Sequence, residues 1–585
     1  MATYAAPVED IAFLLNRVFD FDTTVAGLPG FEEVNAELAV SVLEEAGKFA
    51  AGVLEPLNRP GDEEGCTLEN GLVTTPKGVA EGYRAFADAG WCSLSGDPEY
   101  GGQGLPRVLQ ILLDEMLSSA NLSFGLFPGL TRGAVEAIGH HASAELKATY
   151  LPKMISGEWT GAMALTESSA GTDLGLLSTR AVPNGDGSFA ITGTKIFISS
   201  GDQDFGGNVI HLVLARLPDA PKGVKGISLF LAPKFLVHGD GSLGARNGMS
   251  VGALEHKMGI HAQPTCVMNY DGATGWLVGE PGRGLNAMFT MMNAERLFVG
   301  IQGLGIAEAA NQKAVAYARE RLQGHGADGT PGPVAIINHP DVRKMLLSGR
   351  AFAEAARALA VWTALQMDIA DRHPDAAVRK EADLLVALLT PVVKAAFTDF
   401  GFETAVTSQQ VLGGHGYIRE WGMEQYVRDA RIAQIYEGTN GVQAMDLVGR
   451  KLGLDGGALP QRFFALVKAD LDVALPAAGA DIVGPVAEAL ARLERATQRL
   501  AADGGAIEAG AAATDYLRLF ALVAFGWMWA RMAAAVPASG ATPTEARKAA
   551  LARFYVQRLL PQTLGLEAAL AHGAPTLMAL SADAF

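Results

Sequence analysis

Cysteine and long hydrophobic runs are scarce in this chain, and positive charge is in deficit. The 585 residues include only three cysteines, too widely spaced for a CxxC pair or a disulfide framework. With 46 Lys and Arg against 63 Asp and Glu, the formal charge is −17, which disfavours a protein that coats nucleic acid or an anionic membrane. The longest apolar run, residues 519–530, holds 12 residues, whereas a membrane-spanning helix needs roughly 20. We therefore expect no nucleic-acid or membrane partner and predict a buried helix over this run.

Targeting signals and the common cofactor motifs are also absent from the sequence. The N-terminus carries Glu9 and Asp10 and lacks a basic stretch before its apolar residues, which is atypical of signal and transit peptides. Together with the scarcity of cysteine, this predicts a cytoplasmic protein. There is no GxxxxGK[ST], HExxH or GxSxG motif, and no GxGxxG between a strand and a helix, so a Rossmann fold is disfavoured. His256 and His261 lack a third ligand at a matching spacing, and we predict no metal site.

The spacing of apolar residues divides the chain into segments of different structure. It is helical up to about residue 160, alternates to about residue 280, and is helical again from about residue 285. We predict a mainly α fold with a central β-barrel or sandwich. The predicted segments are an N-terminal extension (1–34), a helical domain (35–160), the β domain (161–282), a helical bundle (283–454) and a C-terminal helical extension (455–585), with breaks at Pro476, Gly504, Gly505 and Pro537.

Two segments at the start of the β domain are candidates for binding a flat polar ligand. Residues 163–173 (MALTESSAGTD) combine hydroxyl side chains with small residues, which let a ligand approach backbone N–H groups closely. Residues 195–201 (KIFISSG) read as a strand in which Phe197 and Ser199 share a face. A ring two residues from a hydroxyl suits a planar heterocycle, although an edge strand with one core Phe fits these residues equally well.

Two further segments lie in the second helical region. Residues 410–417 (QVLGGHGY) contain three glycines in four positions, which is typical either of a close backbone approach or of a helix end. In residues 431–443 (RIAQIYEGTNGVQ), Asn440 and Gln443 are spaced as a helix N-cap and its N3 partner. This places Glu437 on a loop before a helix, where a carboxylate is either a candidate base or simply favourable to the helix dipole.

Taken together, these motifs strongly resemble the acyl-CoA dehydrogenase family. The resemblance rests on ALTE..AGTD, a [KR]-x-[WF]-I-[ST] strand, QxxGGxGY and RDARIAQIYEGTN, in that order between a helical, a β and a second helical region. It spans about residues 35–450, and the parts outside it resemble the longer subgroup with a C-terminal extension. It implies a helical domain, a β-barrel and a four-helix bundle, and FAD-dependent α,β-dehydrogenation of an acyl-CoA.

The resemblance also assigns roles to individual residues. Glu437 is the implied base that removes the α-proton. The implied FAD contacts are Leu165, Thr166, Gly171, Thr172, Phe197, Ser199 and Thr439. A neighbouring subunit is expected to complete the FAD site with Arg321, Gln410 and Gly414. A homodimer or a dimer of dimers is therefore expected.

Several alternatives stay open at this stage. Glu295, in NAERL, occupies the position at which some family members carry the base, but the intact YEGT motif favours Glu437. The subgroup likeness favours a short substrate such as 3-(methylthio)propanoyl-CoA, which would give 3-(methylthio)acryloyl-CoA, with electron-transfer flavoprotein as the electron acceptor. An acyl-CoA oxidase and a non-catalytic DNA-associated member of the superfamily are the alternatives.

Overall fold

The computed structural model describes residues 4–503 and 505–585. The helices of these ranges are α1 (Val8–Phe13), α2 (Phe21–Ala26), α3 (Ala36–Phe49), α4 (Glu55–Glu64), α5 (Val79–Asp88), α6 (Arg107–His141), α7 (Ala144–Ile155), α8 (Gly284–Glu320), α9 (Pro340–Arg372), α10 (Ala376–Val411), α11 (Glu424–Ala433), α12 (Asn440–Gly449), α13 (Leu459–Ala478), α14 (Ala480–Asp503), α15 (Ala506–Ala534), α16 (Pro543–Phe554) and α17 (Gln562–Leu570). The strands are β1 (Thr67–Glu69), β2 (Leu72–Thr74), β3 (Trp159–Ala164), β4 (Arg180–Pro183), β5 (Phe189–Ser199), β6 (Asn208–Arg216), β7 (Ile227–Pro233), β8 (Phe235–Val237), β9 (Leu243–Arg246), β10 (Met249–Leu254) and β11 (Thr265–Val278).

The chain forms two compact units, and both are assembled from separate stretches of sequence. Unit 1 comprises residues 1–51, 106–119 and 299–585, and unit 2 comprises residues 52–105 and 120–298. All eleven strands of the described ranges lie in unit 2, whereas the regular elements described in unit 1 are helices, apart from an isolated bridge between Leu322 and Ala335.

Strand pairing in unit 2 closes the central sheet into a ring. β11 pairs with β5, β5 with β4, β4 with β6, β6 with β7, and β7 again with β11. The link between β4 and β6 is a single parallel pair, Arg180 with Arg216. β6 and β7 are almost wholly buried, mainly apolar runs, as expected for strands covered on both faces. A ring of paired strands is a barrel, so the predicted fold, mainly α with a central β-barrel, is confirmed.

The C-terminal extension packs around one buried helix, α15. Every residue from 519 to 530 is buried, which confirms the helix predicted there. α10 and α15 are long and apolar enough, by length and composition, to span a membrane, but 72% and 83% of their most apolar windows are buried within the chain. Such burial is typical of helices in a protein core.

The predicted breaks in the extension are only partly correct. α13 continues through Pro476 and ends at Ala478, with Gly479 at φ 89° after it. The left-handed conformation of Gly479 ends the helix, and glycine adopts it without a steric penalty. The Pro476 prediction is therefore wrong, while Gly505 does precede α15 and Pro537 follows it. The predicted break at Gly504 lies outside the described residues.

A buried network of charges joins five helices within unit 1. Its centre is Arg357 on α9, which is fully buried and donates to Glu115 of α6 at 3.0 Å, and at 2.8 Å to both Asp10 of α1 and Glu308 of α8. Lys548 of α16 is also fully buried and donates to Asp10 at 2.7 Å. The remaining members are Arg350, Glu354 and Arg547.

The network determines how its carboxyl groups ionise. Burial alone would raise the pKa of Asp10, but the charges of Lys548 and Arg357 lower it to about 2. Glu115 shows the opposite balance, because burial raises its pKa despite the contact with Arg357. Each charge is therefore tolerated only while its partners are present.

We predict that Arg357→Met destabilises the protein by about 3–5 kcal/mol, because three carboxyl groups would lose their buried partner. Denaturant unfolding measures the effect. Arg553→Met is the matched control, since Arg553 pairs with Asp481 at 2.8 Å and both side chains are about half exposed. The control substitution should lower the free energy of unfolding by only about 0–1 kcal/mol. Equal losses in the two variants would contradict the role of burial.

The buried carboxyl group of Asp368 on α9 should make the stability of the folded protein depend on pH. It is 2% exposed and accepts from the backbone N–H of Arg107 at 2.9 Å, and burial raises its pKa from 3.8 to about 7 despite that bond. Between about pH 4 and 7 the folded state holds a proton that the unfolded state releases. The contribution of Asp368 to stability therefore falls as pH rises through this range and is lowest above pH 7.

We predict that Asp368→Asn raises the thermal unfolding midpoint at pH 8 and changes it little at pH 5. The amide keeps the acceptor for Arg107 without a buried charge. Asp371→Asn is the control, because the Asp371 side chain is 51% exposed beside Arg107 and should give no gain that grows with pH. A lower midpoint for Asp368→Asn at pH 8 would disprove the interpretation.

Candidate active site

In unit 2, the first predicted motif, residues 163–173, lies against β5, the strand that carries the second predicted motif, residues 195–201. The side chain of Lys195 on β5 donates at 2.9 Å to the backbone oxygen of Leu165. The next residue, Ile196, donates its backbone N–H to the backbone oxygen of Thr166 at 2.9 Å. Leu165 and Thr166 are thereby fixed beside Phe197. Gly171 and Thr172 lie further along the same loop and are exposed.

A β-bulge presents Phe197 to solvent. On β5, Ile196 and Phe197 together oppose one residue of β11, where the register shifts between Met268 and Cys266. Phe197 has φ 60° and is 60% exposed, while the next residue, Ile198, is buried. A bulge adds one residue to a strand and re-aims its side chains. Because the Phe197 side chain is exposed, the alternative of a core Phe at an edge strand is wrong.

The bulge strand is fixed by a buried ion pair. Lys195 and Glu167 are 0% and 4% exposed, with Nζ and Oε1 2.9 Å apart, and Glu167 also accepts from the backbone and side chains of Ser178 and Thr179. Burial would raise the pKa of Glu167, but Lys195 and these donors lower it to about 2. Burial lowers the pKa of Lys195 to about 8, with Glu167 opposing the shift. The ion pair thereby favours the charged forms of both groups.

In unit 1, Glu437 lies on a tight loop between α11 and α12. Its φ is 57°, and Gly438 follows at φ 83°. Left-handed backbone is uncommon for a residue other than glycine and persists only where its surroundings enforce it. Here the backbone N–H of Asn440 donates to the backbone oxygen of Gln434 at 3.1 Å, which closes the loop. Glu437 itself is half-buried.

The start of α12 differs from the sequence prediction. Thr439 is the N-cap, and its hydroxyl accepts from the backbone N–H of Val442 at 3.2 Å. The predicted cap, Asn440, is the first helical residue, and its amide donates to Asp399 of α10 at 2.6 Å. The predicted cap pair, Asn440 with Gln443, is therefore wrong, because the Asn440 side chain bonds to α10 instead of the backbone of its own helix.

Arg321, Gln410 and Gly414, which are predicted to contact the flavin of a neighbouring subunit, also belong to unit 1 but lie outside the Glu437 loop. Gln410 and Gly414 are exposed at the C-terminal end of α10. Arg321 follows α8, one turn after Tyr317, whose hydroxyl lies 2.8 Å from His415 Nδ1. Gln410 is sixteen residues from Lys394, which contacts the Glu437 loop, and this corresponds to about 24 Å along α10. The assignment stays a prediction.

Glu295, the alternative base, is 2% exposed in unit 2. A Cβ atom on Gly133 of α6 would lie 2.4 Å from its Oε1, so the carboxyl group occupies space that only glycine leaves open. The assignment of Glu437 as the base, with Glu295 as the alternative, stays a prediction.

The sequence analysis missed residues that hold the Glu437 loop. Lys394 of α10 donates to the backbone oxygen of Gly438, and Tyr436 donates to the side chain of Gln302 on α8. Both Lys394 and Gln302 are fully buried. The only available signal was a lysine within the apolar run TPVVKAAF, because a charge on an apolar helix face needs a buried partner.

Models of acyl-CoA dehydrogenase domains match four successive parts of the chain. The N-terminal domain matches residues 39–158, the middle domain 162–273 and the C-terminal domain 282–452. A model described as acetyl-CoA dehydrogenase C-terminal like matches residues 463–581.

Individual proteins match over nearly the whole chain. The 3-methylmercaptopropionyl-CoA dehydrogenase of Ruegeria pomeroyi is 44% identical, over 95% of this chain and 96% of that protein. Caenorhabditis elegans ACDH-11 in complex with C11-CoA shares the fold at TM-score 0.78 and 20% identity, over 95% of this chain and 92% of that one. Bacillus anthracis acyl-CoA dehydrogenase complexed with FAD does so at TM-score 0.71 and 19% identity, over 96% and 91%. The chain therefore belongs to the acyl-CoA dehydrogenase family and is an oxidoreductase with acyl-CoA dehydrogenase activity.

Proposed function

We propose that the protein is an FAD-dependent dehydrogenase of short acyl-CoA thioesters, with Glu437 as the base. Its proposed substrate is 3-(methylthio)propanoyl-CoA, converted to 3-(methylthio)acryloyl-CoA, and its electron acceptor is electron-transfer flavoprotein. The 44% identical relative, whose name specifies 3-methylmercaptopropionyl-CoA, supports the substrate.

The observation that carries the proposal is the strained backbone at Glu437. Left-handed backbone is uncommon for a glutamate, and residues with such strained backbone concentrate at functional sites. The loop is held from α10 and α8 by buried side chains. A half-buried carboxylate on a rigid support suits proton abstraction, which needs a base of fixed position and limited hydration.

Features of unit 2 support the binding of FAD. The outward ring of Phe197 offers a face for stacking on a planar heterocycle. Nothing lies within 4 Å of a Cβ placed on Gly171, so the backbone there is open to a ligand. We propose Leu165, Thr166, Gly171, Thr172, Phe197, Ser199 and Thr439 as its contacts, with Arg321, Gln410 and Gly414 from a neighbouring subunit.

In the proposed reaction, Glu437 has two roles. The carboxylate of Glu437 takes the α-proton, and its backbone N–H donates to the thioester oxygen as negative charge develops there. Single donors of this kind contribute roughly 2.7–4 kcal/mol in other enzymes. When bound, FAD supplies the two-electron oxidant that accepts the β-hydride. The α and β carbons are then joined by a double bond, and the proton stays on Glu437 until it exchanges with solvent.

We predict that Glu437→Gln lowers the rate of substrate-dependent flavin reduction by about 10²–10⁴-fold, because the amide cannot accept the α-proton. The protein should stay yellow. Anaerobic bleaching of the flavin spectrum against a panel of acyl-CoA thioesters measures the rate and ranks the substrates. Reoxidation by oxygen or by electron-transfer flavoprotein then separates an oxidase from a dehydrogenase.

Glu295→Gln is the matched control, since it removes the other candidate carboxylate. It should retain most of the rate. Near-normal bleaching by Glu437→Gln together with loss in Glu295→Gln would assign the base to Glu295. A panel in which longer chains react faster than 3-(methylthio)propanoyl-CoA would reject the proposed substrate.

We also predict that the flavin-loaded protein elutes from gel filtration as a dimer or larger. Tyr417 and Ile418, three and four residues after Gly414, are 83% and 47% exposed, and such apolar exposure favours a protein contact. Tyr417→Asp should weaken assembly and lower flavin content. Leu72→Asp is the control, because Leu72 on β2 is 60% exposed as an isolated apolar residue and should change neither. A fully flavinylated monomer would disprove the shared site.

A further inference from the structure

Lys394 is a buried cation in the middle of α10. Its side chain is 0% exposed. Its Nζ atom donates at 2.9 Å to the backbone oxygen of Gly438 and at 2.9 Å to the side-chain oxygen of Asn440. Both acceptors are neutral. Gly438 belongs to the loop that carries Glu437, and Asn440 is the first residue of α12, directly after that loop.

These acceptors distinguish Lys394 from the other fully buried lysine of unit 1. Lys548 donates to two carboxylates, Asp10 and Glu354, at 2.7 and 2.8 Å. An ammonium group loses hydration on burial, and neutral oxygens compensate that loss less well than carboxylates. A methionine at position 394 would fill a similar space but could not donate these two hydrogen bonds.

The contacts of Lys394 fall on the strained part of the loop. Gly438 follows Glu437, and both are left-handed. The same Gly438 oxygen accepts from Gln443 of α12 at 3.3 Å, so it is held from both sides. Asn440 is fixed in turn by its amide, which donates to Asp399. Rotation of the Glu437 backbone would break these bonds together.

We propose that Lys394 is a positioning residue that holds the Glu437–Gly438 turn in its left-handed conformation. It thereby aims both the Glu437 carboxylate and the Glu437 backbone N–H. The inference rests on the proposed role of Glu437 as base. Because Lys394 acts through the loop, its loss should slow proton abstraction and leave substrate binding nearly unchanged.

The test is Lys394→Met, assayed as the flavin-loaded protein with 3-(methylthio)propanoyl-CoA below its unfolding midpoint. The limiting rate of anaerobic flavin reduction, per bound flavin, should fall about 10²-fold, as a misplacement of about 1 Å can cause. The substrate concentration for half-maximal rate should change less than threefold. An α-deuterated substrate should show a larger isotope effect than in the wild type.

Lys548→Met is the matched control, because it removes an equally buried lysine that lies outside the proposed machinery. It should lower the unfolding midpoint but keep the limiting rate per flavin within threefold. Lys394→Gln keeps a shorter N–H donor and should give a rate between those of the wild type and Lys394→Met. If Lys394→Met does not fold, Lys394→Gln decides alone, with a loss of tenfold or more supporting the proposal.

A limiting rate within tenfold of the wild type in Lys394→Met, or in Lys394→Gln where only that variant folds, overturns the proposal, as does an equal loss in Lys548→Met. Glu437→Gln, measured in parallel, separates the two hypotheses. If Glu437→Gln is inactive and Lys394→Met is normal, only the positioning role fails. If Glu437→Gln is active, the assignment of Glu437 as the base is wrong, and the positioning role that rests on it is rejected with it.

Discussion

The burial of charge is the constraint on which unit 1 depends. Arg357 has no access to water and donates to carboxylates of three other helices. Its partners include Asp10, near the N-terminus, which also accepts from Lys548 in the C-terminal extension. Loss of one member leaves the others buried without compensation, which is far more costly than loss of a surface pair. Distant parts of the sequence are thereby fixed to the helical bundle.

The same principle recurs beside the candidate site residues in both units. In unit 2, Lys195 is buried against Glu167 and holds the backbone of Leu165. In unit 1, Lys394 is buried against the backbone of the Glu437 loop. Each lysine supports a segment with a strained residue, Phe197 in one unit and Glu437 in the other. Buried hydrogen bonds from a cation are strong enough to maintain such strain.

Local sequence patterns predicted much of the fold but few of its contacts. Helical and alternating periods located the helical regions and the barrel, because side-chain burial follows those periods directly. They could not predict that α13 continues through Pro476, or that Thr439 rather than Asn440 caps α12. Both outcomes depend on what packs against the residue. An asparagine side chain can cap a helix, but the side-chain amide of Asn440 donates to Asp399 of α10 instead.

The sequence by itself determined the family, the order of helical and β regions, and the motifs that contain Phe197 and Glu437, since these depend on residue types at short spacings. Only the tertiary structure decided that Phe197 faces outward at a bulge, that Glu437 is left-handed, and that Lys394 reaches its loop. Lys394 and Gly438 are 44 positions apart. Their contact depends on how α10 and α12 pack, and no local pattern records which buried donor meets which distant acceptor.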